Sequence, residues 1–198
     1  STAYLQSLRD IADEFNTLLI FDEVQCGMGR SGKLFAYETA NVTPDIMGLA
    51  KGIGGGFPVG AVLATEKAAS GMVPGTHGST YGGNPLAMAA ANAVLDVMLE
   101  KDFLASVVKK GTKLKNDLVS LVEKHSAVLE SVRGVGLMLG IKSVGPNLEL
   151  MAAFRENKLL TVVAGENVVR VLPPLNVSEE EISEAVQKID QTCSQVSS

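Results

Sequence analysis

Two short apolar runs constrain this chain more than anything else in it: Leu18 to Phe21 and Ile46 to Ala50, which lead to the ionisable side chains of Asp22 and Lys51. Their length and composition predict strands, because a strand buried on both faces reads as a brief, continuous apolar run. In an open α/β sheet, ligands bind in the crevice beyond the carboxyl ends of parallel strands, so a carboxylate and an amine delivered there would project into one site. Lys51 is the only charged residue from Ile46 to Thr65. An ammonium among such neighbours loses hydration, which favours the neutral, nucleophilic amine, able to form a Schiff base with an aldehyde. A carboxylate beside a pyridine nitrogen would keep that ring protonated, and a pyridinium is an electron sink for a carbanion next to the substrate's nitrogen. Taken singly, Lys51 also reads as a lysine reaching out of a glycine-rich loop to solvent, and Asp22 as a strand-end turn residue.

Three blocks carry a resemblance. FDEVQCGMGRSGKLFAYE, PDIMGLAKGIGGGFPVGAVLAT and HGSTYGGNPLA follow one another in this order. In sequence and spacing they resemble the signature blocks of the class III, ornithine/acetylornithine type, aminotransferases, most closely the acetylornithine branch, and the resemblance covers essentially the whole chain. It implies a fold type I pyridoxal 5'-phosphate enzyme of the α/β class, working as a homodimer with its active site at the subunit interface. By position it implies that Asp22 pairs with the cofactor's pyridine nitrogen, Val24 packs on a ring face, Gln25 hydrogen-bonds the ring hydroxyl and Lys51 holds the aldehyde. Ser79 and Thr80 would bind the cofactor phosphate of the partner subunit. The matching blocks make up the C-terminal half of family members about twice this length. The expected organisation is therefore the C-terminal part of a large, mostly parallel-sheet domain over residues 1–99, and a small C-terminal α+β domain over 100–198.

The chain has 198 residues, of which 46% are hydrophobic, enough for a core. A net charge of -5 without a basic cluster gives no reason to expect nucleic acid or an anionic membrane surface. Cys26 and Cys193 lie far apart, and His77 and His125 are the only histidines, so neither a disulfide framework nor a metal site is indicated. That usage points to a reducing, cytoplasmic setting. The longest weakly charged stretch, Ile46 to Thr65, is broken by Lys51, several glycines and Pro58, which argues against a membrane span. No signal peptide is recognised, and the missing initiator Met suggests a chain that starts inside something larger.

Taken in order, Ser1 or Thr2 can cap a helix that Asn16 ends. Gly27, Gly29 and Gly32 spell G-x-G-x-x-G, but DEVQC separates them from the strand and the acidic residue is misplaced, so a flexible active-site loop is expected in place of a nicotinamide site. A short helix over 33–40, strands over 46–50 and 58–65, and an anion-cradling loop over 76–84 follow. Asn84 and Pro85 open a helix to about Leu99, and Asp102 another to about His125, which reads as a contact with the helix dipole. Strands at 128–132 and 135–141 flank a turn at Arg133 and Gly134. A helix at 148–157, strands at 159–163 and 168–172, and a helix from Glu179 to Val196 capped by Ser178 close the chain.

Arg170 stands inside the apolar run VVRVLPPL, where a charge needs a carboxylate partner. A guanidinium can clamp a substrate carboxylate through two hydrogen bonds, although an edge-strand arginine facing water reads equally from the residues. The resemblance matches Arg170 to the family's carboxylate-binding arginine, while Arg30 and Arg133 read as structural. The expected activity is transfer of an amino group between an N-acetylornithine-like donor and 2-oxoglutarate, with Lys51 moving the proton. Ornithine, succinyl-diaminopimelate, 4-aminobutyrate or a mutase-type reaction remain open within the family. A catalytically inert fragment or structural half-domain remains open outside it.

Overall fold

The computed structural model describes residues 1–196, whose contacts gather into two compact units, Ser1–Leu104 and a second from Ala105 onward. The first begins with α1 (Thr2–Glu14), capped by the Ser1 hydroxyl, which accepts from Tyr4 N–H at 3.3 Å. A three-stranded sheet follows, ordered β1 (Ile20–Asp22), β2 (Ile46–Leu49), β3 (Ala61–Ala64), with β1 and β2 parallel and β3 antiparallel to β2. The Asp45 carboxylate sets the strand entries: it accepts from Leu19 N–H at 2.8 Å and from Arg9 of α1 at 2.9 Å. Leu18 and Leu19 thus fall before the strand, and β3 is shorter than the expected 58–65.

Between β1 and β2 the expected short helix over 33–40 is only a four-residue 3₁₀ turn, Ala36–Thr39. Two carboxylates take the N–H groups at its start: Glu38, within the turn, accepts from Phe35 N–H at 2.8 Å, and Glu23, from outside it, accepts from those of Ala36 and Tyr37. After β3, Thr65 caps α2 (Glu66–Ala69), and Asn84 caps α3 (Pro85–Met98), its side-chain oxygen accepting from Ala87 N–H at 2.9 Å with Pro85 at the first helical position.

The second unit is antiparallel throughout. α4 (Phe103–Lys124) leads into it, followed by β4 (Leu129–Val135), β5 (Met138–Ser143), α5 (Asn147–Glu156), β6 (Val162–Ala164), β7 (Val168–Val171) and α6 (Glu179–Val196). The strand order is β4-β5-β7-β6. Ile141 and Val169, paired across β5 and β7, are buried together with Leu114 and Leu118 of α4, Phe154 of α5, and Ile182 and Ile189 of α6. Each such side chain contributes about 1.5–3 kcal/mol by leaving water. α6 carries a reciprocal cap: Ser178 Oγ accepts from Glu181 N–H at 3.1 Å while the Glu181 carboxylate accepts from Ser178 N–H at 2.7 Å.

The hairpin turn is displaced from its expected place. Arg133 and Gly134 lie inside β4, and the chain reverses at Gly136 and Leu137. The glycine that looked like a turn residue serves a close approach: at Gly134, with φ 120°, a Cβ would collide with the Met138 carbonyl oxygen. Gly111 of α4 likewise has no room for a Cβ against the backbone of Gly136, so helix and turn touch through two glycines. His125, just past α4, is buried and paired with Asp190 of α6 at 2.5 Å, a contact more specific than the helix dipole. Among the described residues, no helix is long and apolar enough to cross a membrane.

Candidate active site

Asp22 is the last residue of β1 and pairs in register with Gly48 of β2, and Glu23 N–H continues the ladder to the Gly48 carbonyl at 3.0 Å. Lys51 stands three residues beyond Gly48, just past the end of β2. Parallel strands lie about 4.8 Å apart, so carboxylate and amine leave the same sheet edge from neighbouring strands. Asp22 Oδ1 accepts from Val24 N–H at 3.0 Å, which turns the chain so that Val24 and Gln25 follow at once, both half-buried.

Lys51 adopts a left-handed backbone, φ 48°, and opens a 3₁₀ turn, Lys51–Gly54. Residues with a Cβ avoid that region at a cost of roughly 1–2 kcal/mol. Both Lys51 and Asp22 are exposed, so the desolvation expected from apolar neighbours in sequence is not found in this chain. α3 packs against this turn closely enough that a Cβ on Gly55 would lie 2.7 Å from Val94 Cγ2.

The sequence signal that pointed to Asp22 missed its neighbour. Glu23 is 2% exposed, and its carboxylate accepts from Ala36 N–H at 2.6 Å and Tyr37 N–H at 2.8 Å. Its carbonyl also accepts from Gly27 N–H at 3.0 Å, and a Cβ on Gly27 would lie 2.7 Å from that oxygen. The glycine-rich loop is consequently pinned down: Gly27, Met28, Gly29, Ser31 and Gly32 are buried, which corrects the expectation of a flexible loop. Nor do these glycines open an α-helix, as a dinucleotide fingerprint requires. The only clue in the sequence was a charged residue directly behind an apolar strand. Cys26 Sγ donates to the Asp22 carbonyl at 3.6 Å, and burial, reinforced by the charge of Glu23, pushes its thiol pKa up, so it stays protonated.

Ser79 and Thr80 lie exposed in the loop before α3, whose backbone bonds are local, such as Gly82 N–H to the Ser79 carbonyl at 3.4 Å. Arg170 stands in the sheet of the second unit. β7 is an interior strand between β5 and β6, which removes the reading of an edge arginine. Half-buried, Arg170 donates from Nη2 to the Val163 carbonyl at 3.3 Å, while Arg133 pairs with Glu166 at 2.5 Å.

With that geometry in view, the comparisons with known proteins decide the family. The model of the class III aminotransferases matches residues 1–193. The chain belongs to the class III aminotransferases. The family is dependent on pyridoxal phosphate, and its fold is fold type I. The chain is 57% identical over 196 residues to acetylornithine aminotransferase 1 of Bradyrhizobium diazoefficiens, covering 99% of this chain and 48% of that protein. It is 55% identical to the acetylornithine aminotransferase of Mesorhizobium japonicum, covering 95% of this chain and 47% of the relative. Among solved structures, the acetylornithine aminotransferase from Elizabethkingia anophelis superposes with a TM-score of 0.91 at 36% identity, covering 98% of this chain and 50% of the other. The chain thus spans about half the length of the curated relatives it matches.

The residues fit the family's cofactor. Gly48 lies in register between the Asp22 and Val62 positions of one sheet face, and a Cβ built on it meets nothing within 4 Å, leaving room for a flat ring beside the carboxylate. An acid and an amine at one strand edge are the two groups that a pyridine nitrogen and an aldehyde require.

Proposed function

We propose that this chain carries the cofactor-holding part of an aminotransferase that moves an amino group between N-acetylornithine, or a similar ω-amino donor, and 2-oxoglutarate. The observation that carries the reading is the placement of Asp22 and Lys51 at neighbouring carboxyl ends of parallel strands, in a chain 57% identical to an acetylornithine aminotransferase. When bound, pyridoxal phosphate supplies an aldehyde that condenses with amines and a ring that accepts electrons.

The rest is the work of this chain's side chains. Asp22 would hold a proton on the ring nitrogen by facing it with its carboxylate. Lys51 Nζ would hold the cofactor's aldehyde, and as a free amine it would be the base that takes the proton from the amine-bearing carbon and the acid that delivers it to the cofactor's aldehyde carbon. Val24 and Gln25, which follow the turn at Asp22, would flank the ring and its hydroxyl. By its position in the family, Arg170 would offer N–H donors to a substrate carboxylate. Ser79 and Thr80 offer hydroxyls to the cofactor phosphate of a second subunit in a homodimer. Neither Cys26 nor Cys193 is in a disulfide, which fits a reducing cytoplasm. Because the chain spans half of its relatives, a second reading also has an observation behind it: by itself it is a structural half that folds without turning over.

The test is to add pyridoxal phosphate, reduce with borohydride, digest and weigh the peptides. A pyridoxyl mass on the peptide carrying Lys51 is the expected result, and label on another lysine refutes the site. No label on a folded sample favours the structural half. In the full-length protein, amino-group transfer from N-acetylornithine should outpace that from ornithine or 4-aminobutyrate, and preference for 4-aminobutyrate overturns the substrate.

A further inference from the structure

Left-handed backbone at residues other than glycine is uncommon, and most instances here have an ordinary setting. Asn16, Asn41, Asp102 and Asn167 are of the types that tolerate it, Glu166 shares the tight β6–β7 hairpin with Asn167, and Lys158 follows directly on the end of α5. Met28, φ 51°, and Lys51, φ 48°, lie at neither an α-helix end nor a hairpin, and they meet through Gly52. A Cβ on Gly52 would lie 3.0 Å from Met28 Cβ and 3.8 Å from its Cγ, so Met28 occupies the space that a side chain at position 52 would need. Met28 is 4% exposed and held from both sides, since Gly27 N–H bonds the Glu23 carbonyl at 3.0 Å and Gly29 N–H the Leu34 carbonyl at 3.1 Å. Lys51 Nζ, by contrast, has no hydrogen-bond or ion-pair partner among the described residues, so its direction is set by its backbone. A strained backbone persists only where its surroundings over-determine it. Val59 and Val94 back Gly54 and Gly55 at the far end of the turn, whereas Met28 bears on the residue joined to Lys51.

We propose that Met28 is a positioning residue for Lys51: pressed against Gly52, it holds the adjoining Lys51 in the left-handed region and so sets the direction in which the amine leaves the sheet edge. Met28 reaches that place from the loop that continues β1, so the strand that carries Asp22 also steadies Lys51. The amine stands at the end of a long side chain, and a change of φ displaces it far more than it displaces the backbone. A reacting group misplaced by about 1 Å can lose on the order of 10²-fold in rate. The proposal rests on the reading of Lys51 as the amine that holds the cofactor's aldehyde.

The experiment compares the protein with Met28→Gly, Met28→Leu, Gly52→Ala and the double variant Met28→Gly/Gly52→Ala, with circular dichroism to check folding and two readouts at Lys51. One is its φ in crystal structures grown without cofactor. The other is the rate at which pyridoxal phosphate and borohydride place the pyridoxyl label on it. Met28→Gly removes the atoms that press on Gly52, so Lys51 should leave the left-handed region and labelling should slow at least about tenfold. Met28→Leu keeps a Cβ and a Cγ there and should match the parent in both readouts. Gly52→Ala forces a collision from the other side, so it should move Lys51 and slow labelling by about tenfold or more. Added to Met28→Gly it should cost less than about threefold, because the atom it would strike is gone. Should Met28→Gly fail to fold, Gly52→Ala and Met28→Leu carry the test. Lys51 still near φ 48° in the variants that disturb the contact, labelling at the parental rate in them, or full additivity in the double variant would each overturn the positioning role. A parent that takes no label on Lys51 counts against the proposed function, and the Lys51 φ then decides the role of Met28 by itself.

Discussion

Glu23 is the residue on which the order of the site depends. Its carboxylate holds the N–H groups of Ala36 and Tyr37 from a nearly dry position, so the turn from Asp22 through Gly32 is tied at both ends. Glu23→Gln keeps the shape but offers one acceptor oxygen for two donors and aims an amide N–H₂ at the other. A buried donor left unpaired costs about 1–3 kcal/mol, so the urea midpoint should fall and the amides of residues 36 and 37 should exchange faster. An unchanged midpoint would remove Glu23 from this account. Lys51 makes the opposite case. Its left-handed backbone is strained for any residue with a Cβ, so Lys51→Gly should stabilise the chain by about 1 kcal/mol while abolishing the pyridoxyl label. Equal or lower stability for the glycine variant would show that no strain is stored there.

At the scale of elements, helix caps were the most legible features of the sequence, because a cap is a local event. Asn84 with Pro85, and Ser178 with Glu181, need only neighbours three residues away. The parallel placement of Asp22 and Lys51 was legible too, through two apolar runs of strand length. What could not be read depends on groups distant in sequence: the turn at Gly136 is set by its contact with Gly111, and the partners of Glu23 are backbone N–H groups that any residue would carry. Asp45 and Asp190 tie elements in the same long-range manner, and both can be tested by pH. Bonds from Leu19 N–H and then Arg9 hold the Asp45 pKa below its ordinary value, and those from His125 and then Lys124 do so for Asp190. A carboxyl with a lowered folded pKa contributes stability above its unfolded value of about 3.9, and that contribution is lost as pH falls through the folded value. Urea midpoints should therefore be level above about pH 5 and drop below about pH 4, and Asp45→Asn should flatten part of the drop. A variant with the same acid dependence as the parent would show that Asp45 titrates alike in both states.

For the molecule as a whole, the two units differ in how completely each buries its own apolar surface, and that difference predicts an order of opening. In the second unit, Leu139, Ile141, Val169, Phe154, Ile182 and Ile189 are all at most 2% exposed, and the four-stranded sheet is closed by helices of its own unit. The first unit buries fewer large residues, among them Met47, Leu49 and Ile53 beside Ala12, Ala40 and Ala87, while Phe15, Ile20 and Val62 stay in water. Burial yields roughly 25 cal/mol per Å² of apolar area, so the first unit gathers less per residue to set against a chain entropy of about 1–2 kcal/mol per residue. Local opening follows that balance. Native-state hydrogen exchange should find the amides of Ile141 and Val169 slowest, those of Phe21 and Met47 at least tenfold faster, and urea should release the first unit before the second. Uniform exchange across both sheets would show the chain opening as one cooperative body.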